Sequence, residues 1–399
     1  MSPERRRIIA WCLFDFANSA YSAVIVATVF SIYYVSQIVG NERGLGDLWW
    51  GRAISLSLLG VVLTGPLLGA LADRAGFRKR FFIAFTVLCI ACIALFTTLG
   101  PGMILRGFAL VALANFGFES AQIYYNAYLP DVAPPGRLGT VSGLGFGIGY
   151  LGSIVGLLVA LPLVKASQFN LLWLLVAGFF AVFSIPAFVA LPADRPRPET
   201  TLNIGRILRD VLANHNLRRF LLAYFVYFDG VETTIVFSGI FAVTTLKFTT
   251  PEVIKLFLAV QFSALLGALL LARPTDRWGP KRVITVTLLL WVCVSVGAYF
   301  AQTKQFFFAV AVTAGLGLGS IQAASRALMA SLIPLGKESE LFGFYALCGK
   351  SSSVLGPLVF GAVSYLLGGD QRIAVASVGL FFVVGLALLQ RVKPVSPPT

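Results

Sequence analysis

Six ionisable side chains sit where an apolar chain has little reason to carry them. Asp15, Glu119, Asp229, Glu232, Arg326 and Lys350 all fall inside long hydrophobic runs. A charge at the centre of a membrane helix costs ~2.5–3.5 kcal/mol on insertion scales, so each needs a partner, a polar cavity or a task. Asn115, Glu119, Gln122 and Asn126 recur at i, i+4, i+7 and i+11, which puts four polar groups on one stripe of a single helix. Hydrogen bonding between packed helices accounts for one such Asn or Gln. Four in line, one of them a carboxylate, better describe a cavity wall. Gln322, Ser325 and Arg326 share a face in the same way. Lys350 precedes three serines, Asp15 lies with Asn18, and Asp229 lies with Glu232 and Thr233. Four acids and two bases can hold both ends of a zwitterion, and a carboxylate among them, Glu119 first, can carry a proton. Structural ion pairing among these same groups is the alternative.

The elements that must position these groups follow from composition. Of 399 residues, 58% are hydrophobic and 12% charged, with mean hydropathy +0.86. Soluble domains sit near ~45–50% apolar and ~25% charged, so a soluble enzyme is excluded. Twelve apolar runs, the first over 9–39 and the last over 372–391, are bounded by charge or by Gly and Pro. About 20 apolar residues cross a bilayer as a helix. Lipid cannot satisfy an open backbone, so the class is all-α. With the N-terminus inside, 21 of the 31 Lys and Arg fall in inside segments and 8 in outside ones. The positive-inside rule therefore makes both termini cytoplasmic, in the cell (inner) membrane. The net charge of +14 is topology attracted to an anionic leaflet, with no call for nucleic acid. Between 192 and 218, Ile204, Ile207, Leu208, Val211 and Leu212 recur at helical spacing beside Arg206 and Arg209. This pattern predicts an amphipathic helix on the cytoplasmic membrane surface, an ordinary linker being the alternative.

The chain repeats itself. Asp73-Arg74-Ala75-Gly76-Phe77-Arg78 follows the second run and Asp276-Arg277-Trp278-Gly279-Pro280-Lys281 follows the eighth, 203 residues later. Gly145 with Gly349 and Gly152 with Gly356 keep nearly that offset, and Phe14-Asp15 pairs with Phe228-Asp229. Two parallel six-span halves follow, 1–191 and 219–399, joined by the linker 192–218. This is the repeat architecture of major facilitator transporters, and the two loops resemble that superfamily's signature. Asp73, Arg74, Gly76 and Arg78, with Asp276, Arg277, Gly279 and Lys281, are the expected gate residues. A carboxylate at a helix end can face another helix's positive N-terminus, and Arg can make bidentate pairs. Phe77 and Pro280 depart from the pattern, each standing where an Arg is common.

Phe14-Asp15-Phe16-Ala17-Asn18-Ser19-Ala20-Tyr21 resembles the first-helix signature of the vacuolar effluxers, the autophagy-related branch of the superfamily. Tyr125-Asn126, Phe228-Asp229-Gly230, Gln322-Ala323-Ala324-Ser325-Arg326 and Phe342-Gly343-Phe344-Tyr345 resemble it too, across both halves. The resemblance implies a monomeric twelve-helix transporter that exports small solutes, amino acids in the fungal members. Spans 1, 4, 7 and 10 would line its cavity. Asp15, Asn18, Asn115, Glu119, Gln122, Asn126, Asp229, Glu232, Gln322, Arg326 and Lys350 are then the expected substrate residues, with a proton as coupling ion. A non-transporting membrane sensor or scaffold is the alternative.

Other signals are set aside. Gly147-Ile148-Gly149-Tyr150-Leu151-Gly152 fits a dinucleotide pattern but lies inside a span, where small residues serve helix packing. Cys89 and Cys92 lack companions for a metal. No catalytic set, cofactor or metal site is expected. Trp11, Trp49, Trp50 and Trp173 fall near expected membrane faces and read as interfacial anchors.

Overall fold

The computed structural model describes residues 2–41, 44–193, 196, 204–352, 355–366 and 371–393. Among the described residues, eleven helices are long and apolar enough to cross a membrane. The remaining apolar run, 341–367, is helical over its described residues, Glu338–Ser352 and Leu355–Leu366, and its residues 353, 354 and 367 lie outside them.

Seventeen α-helices are numbered in chain order. The first run contains α1 (Pro3–Ala20) and α2 (Val29–Tyr33), each followed by a π-helical turn, Tyr21–Val26 and Tyr34–Val39. Hydroxyls loosen the ladder here: Ser22 Oγ donates to the Ser19 carbonyl at 3.0 Å and Thr28 Oγ1 to Ala23 at 2.6 Å. Then follow α3 (Leu45–Ala75), α4 (Arg78–Leu95), α5 (Ile104–Ala127), the short α6 (Leu129–Val132), α7 (Leu138–Lys165) and α8 (Phe169–Ala190). The linker forms α9 (Ile204–Ala213). After it come α10 (His215–Thr244), α11 (Thr250–Leu270), α12 (Ala272–Trp278), α13 (Pro280–Phe300), α14 (Lys304–Leu332), α15 (Glu338–Ser352), α16 (Leu355–Leu366) and α17 (Gln371–Gln390). At 1.5 Å per residue the long helices reach across the ~30 Å hydrocarbon core. Several begin as their sequences dictate. Asn214 Oδ1 accepts from Leu217 N–H (3.1 Å), and Thr249 forms a capping box with Glu252.

The chain clusters into two units, Met1–Val132 with Ile148–Leu202 and Pro334–Phe344, and Ala133–Gly147 with Asn203–Ile333 and Tyr345–Thr399. In the first unit α1 packs on α8, α4 on α5 and α8, and α3 on α5. In the second, α10 packs on α17, α13 on α14 and α17, and α11 on α14. Span for span this is one neighbour pattern used twice, as the sequence repeat requires. Outward side chains are apolar, Leu63, Val189 and Leu380 among them, which suits lipid contact.

Glycine spacing sets the close approaches. In the first unit, a β-carbon at Gly152 of α7 would run into the Phe16 carbonyl, and one at Gly156 would touch Ala20 of α1. The glycine run set aside above is a packing face. Trp11 and Trp173 are not interfacial anchors: both are fully buried. Trp11 stacks on Tyr125 at 4.5 Å and donates its Nε1–H to that residue's carbonyl, while Trp173 packs edge-on against Phe30 at 5.0 Å. Proximity to the end of a span does not separate an anchor from a core ring.

Candidate functional site

The two signature loops do one job with the same atoms. In the first unit, the Asp73 carboxylate at the end of α3 accepts the N–H groups of Ser339 (3.2 Å) and Glu340 (2.9 Å). In the second, Asp276 in α12 accepts those of Gly139 (2.6 Å) and Thr140 (2.9 Å). These are the second and third residues of α15 and α7, the positions a helix's own N-cap side chain normally serves. The residues preceding those helices are Arg137 and Lys337, which have donors and no acceptor. The orphan N–H groups are therefore met by an aspartate from elsewhere in the chain, whose charge also faces the positive helix end. Gly139 has no β-carbon; one there would come within 2.8 Å of the Asp276 Oδ1.

The other loop residues divide cleanly. Gly76 (φ +67°) ends α3 in the left-handed region, and Gly279 follows α12 at φ +86°, so both need glycine. Arg78 closes the far end of α5: it donates to the Ala127 carbonyl (2.7 Å), pairs with Asp131 (2.9 Å) and covers the Tyr128 ring. Lys79 donates to the Leu191 carbonyl after α8. In the second unit Lys281 serves α17 likewise, donating to Gln390 (2.9 Å) and Val392 (2.7 Å). Arg74 and Arg277 are exposed.

The intramembrane polar groups take different surroundings. In the first unit, Asp15 and Asn18 are buried in α1 with Asn18 Nδ2 3.5 Å from Asp15 Oδ1, and Asn115 is buried and donates to Ser57 Oγ at 2.7 Å. Glu119, Gln122 and Asn126, further along the same stripe of α5, are half-buried, while Ala121, Ile123, Tyr124 and Tyr125 between them are buried. The family-like residues Phe14 and Tyr125 form one aromatic cluster with Phe82. They are core.

In the second unit, Asp229 is fully buried on α10, and both its oxygens accept the N–H of Gly356 at the start of α16 (3.0 and 2.8 Å). Arg326 on α14 is 2% exposed. Its Nε and guanidinium donate to the Ser142 Oγ (3.0 Å) and carbonyl (2.8 Å), and its plane lies over Phe146 at 4.0 Å. The neighbouring Ser325 Oγ is 2.7 Å from the Tyr227 hydroxyl. Glu232, Gln322 and Lys350 are half-buried. A cavity of about 120 Å³ in this unit is lined mainly by rings and aliphatic groups, among them Phe237, Trp291, Phe307 and Phe360. Thr233 and Gln261 reach it, whereas Asp229 and Glu232 do not line it.

Sequence reasoning missed Ser142, Thr140 and the acids Glu338 and Glu340, which are buried at the start of α15. Lying just before an apolar run, the acids look like solvated loop residues. Their signal was the repeat: Lys337 stands where Arg137 stands in the first half, ahead of a helix whose start needs help.

Eleven candidate spans among the described residues, in two units that share one neighbour pattern and each hold a helix start with a signature-loop carboxylate, fit the major facilitator class. Solved structures agree on the fold. The human organic anion transporter MFSD10 matches 98% of this chain and all of its own, with TM-score 0.79 at 17% identity. The proton:xylose symporter XylE matches 99% of this chain and 97% of its own, with TM-score 0.74 at 13% identity. Within the class, residues 51–395 match the family described as "Vacuole effluxer Atg22 like", and the chain belongs to that family. It is 30% identical to the MFS-type transporter YxiO of Bacillus subtilis (strain 168) over 95% of this chain and 93% of that one. It is also 25% identical to autophagy-related protein 22 of Vanderwaltozyma polyspora over 84% of this chain and 71% of that one.

Proposed function

We propose that this chain is a secondary transporter that exports a small polar solute, an amino acid or similar zwitterion, by exposing one site alternately to the two membrane faces. The carrying observation is the stripe on α5: Glu119, Gln122 and Asn126 are half-buried at successive turns of a helix whose intervening side chains are buried. A polar face of that kind is a cost in lipid and an asset where solute and water pass. Glu119 carries the coupling proton. Asp73 and Asp276 hold the starts of α15 and α7 in one state and release them in the other, so their capping bonds bias the cycle. The protein works as a monomer in the cell membrane with both termini cytoplasmic.

The test is export from proteoliposomes loaded with labelled amino acids, sugars or organic anions. Amino acids leave, driven by an opposing proton gradient, and Glu119→Gln slows export at least tenfold while flattening its pH dependence. Export of none of the zwitterions overturns the solute class. An undiminished Glu119→Gln rate with no pH dependence overturns the role of Glu119.

A further inference from the structure

One end of the second unit carries features that solute transport does not use. Helix α9 buries Ile207 and Val211 but leaves Leu208 and Leu212, one turn apart, each 47% exposed, so a second apolar ridge stands uncovered among the described residues. Beside that ridge the chain gathers cations. Arg218, at the start of α10, donates to the Leu212 carbonyl at 2.8 Å, and Arg219 donates to the Arg391 carbonyl at 3.0 Å. Asn216 and Lys393 exchange two hydrogen bonds. Lys281 bonds the last carbonyls of α17. Arg209, Arg282, Arg391 and Lys393 are exposed around this knot. The carboxylate that α9 itself brings is Asp210.

We propose that this corner, where α9, the start of α10, the start of α13 and the end of α17 are tied together, binds an anionic membrane phospholipid. The phosphodiester lies against Arg209, Arg282, Arg391 and Lys393, and Leu208 and Leu212 enter the acyl region. Two properties select this occupant. The positive charge calls for an anion, and a ridge of leucines alongside it calls for hydrocarbon on the same molecule. A soluble anion satisfies the first and leaves the ridge in water. A zwitterionic lipid satisfies the ridge and leaves the charge unmet. Carbonyl bonds from Arg218, Arg219 and Lys281 tie the corner together, Lys393 joins it through its backbone, and the side chains of Arg209, Arg282, Arg391 and Lys393 are left exposed on these elements. The site is independent of which solute is carried.

The experiment uses the full-length protein in a non-ionic detergent, titrated with phosphatidylglycerol or phosphatidylcholine and read by native mass spectrometry and thermal midpoint. Phosphatidylglycerol binds at least tenfold more tightly than phosphatidylcholine and raises the midpoint, and raising salt from 0.1 to 0.5 M erodes the preference. Replacing Arg209, Arg282, Arg391 and Lys393 together by Gln abolishes the preference. Leu208→Ser with Leu212→Ser weakens both lipids and leaves their ratio. Equal binding of the two lipids by the unmodified protein overturns the proposal, and needs no variant to fold. So does a salt-independent preference, one that survives the four Gln replacements, or stabilisation by inorganic phosphate equal to that by phosphatidylglycerol, which would mark a soluble-anion site.

Discussion

Helix α7 runs unbroken from Leu138 to Lys165, and its counterpart in the second repeat is described as α15 and α16, on either side of residues 353 and 354, which lie outside the described residues. The two segments share their glycines: Gly152 of the first corresponds to Gly356 of the second. The next residue separates them, Ser153 in one and Pro357 in the other. Ser153 keeps its N–H, and its hydroxyl donates to the Ser19 carbonyl at 3.2 Å. Pro357 is a proline and carries no backbone N–H. Asp229 accepts the N–H of Gly356 with both carboxylate oxygens. Asp15, the equivalent acid in the first repeat, lies beside Asn18, whose Nδ2 is 3.5 Å from its Oδ1. The repeated carboxylate anchors a backbone N–H in one repeat and has an amide neighbour in the other.

The largest effect should come from removing that anchor. Asp229→Ala leaves a buried N–H without its charged acceptor and should cost about 2–3 kcal/mol, read as chemical unfolding in detergent. Asp15→Ala should cost under about 1 kcal/mol, in the range of ordinary substitutions. Equal losses would break the comparison.

The apolar spans, the repeat and the family were legible in the sequence because they rest on bulk hydropathy and on motifs that occur twice. The contacts of the two loop aspartates were legible in kind and not in detail. Asp73 and Asp276 could be assigned to helix starts from their position after a span. Which starts they serve depends on Arg137 and Lys337 lacking acceptors, a weakness that shows only when the helix boundary is known. Arg326 looked like a binding cation, and a single chain cannot reveal that Ser142 and Phe146, 184 and 180 residues away, surround it. Trp11 and Trp173 were misplaced because hydropathy gives depth along a helix and not the direction of a side chain around it.

Next in size come the two loop caps. Asp73→Ala and Asp276→Ala should each cost about 1–2 kcal/mol, as for loss of an N-cap. Replacing Lys337 or Arg137 by Ser, which brings an acceptor to the N-cap itself, should recover part of that loss in the matching pair, Lys337 with Asp73 and Arg137 with Asp276. Crossed pairs should recover nothing, which makes the assignment of each carboxylate to its helix start testable without a structure.

The smallest effect belongs to the residues beside those caps. Arg74 and Arg277 are exposed, and Gln at either should change stability by no more than about 0.5 kcal/mol. Arg78→Gln, which loses the Ala127 carbonyl and the partly exposed pair with Asp131, should cost about 1 kcal/mol. The same unfolding measurement ranks all three. If Arg74→Gln proves as costly as Arg78→Gln, the motif acts as a charge cluster. If the order holds, it acts as a set of helix-end contacts in which position decides which basic residue matters. Transport rates then separate the two uses of the loop: a contact remade in each cycle should shift the rate at Asp73 and Asp276 by more than stability alone accounts for, and should leave Arg74 and Arg277 unchanged.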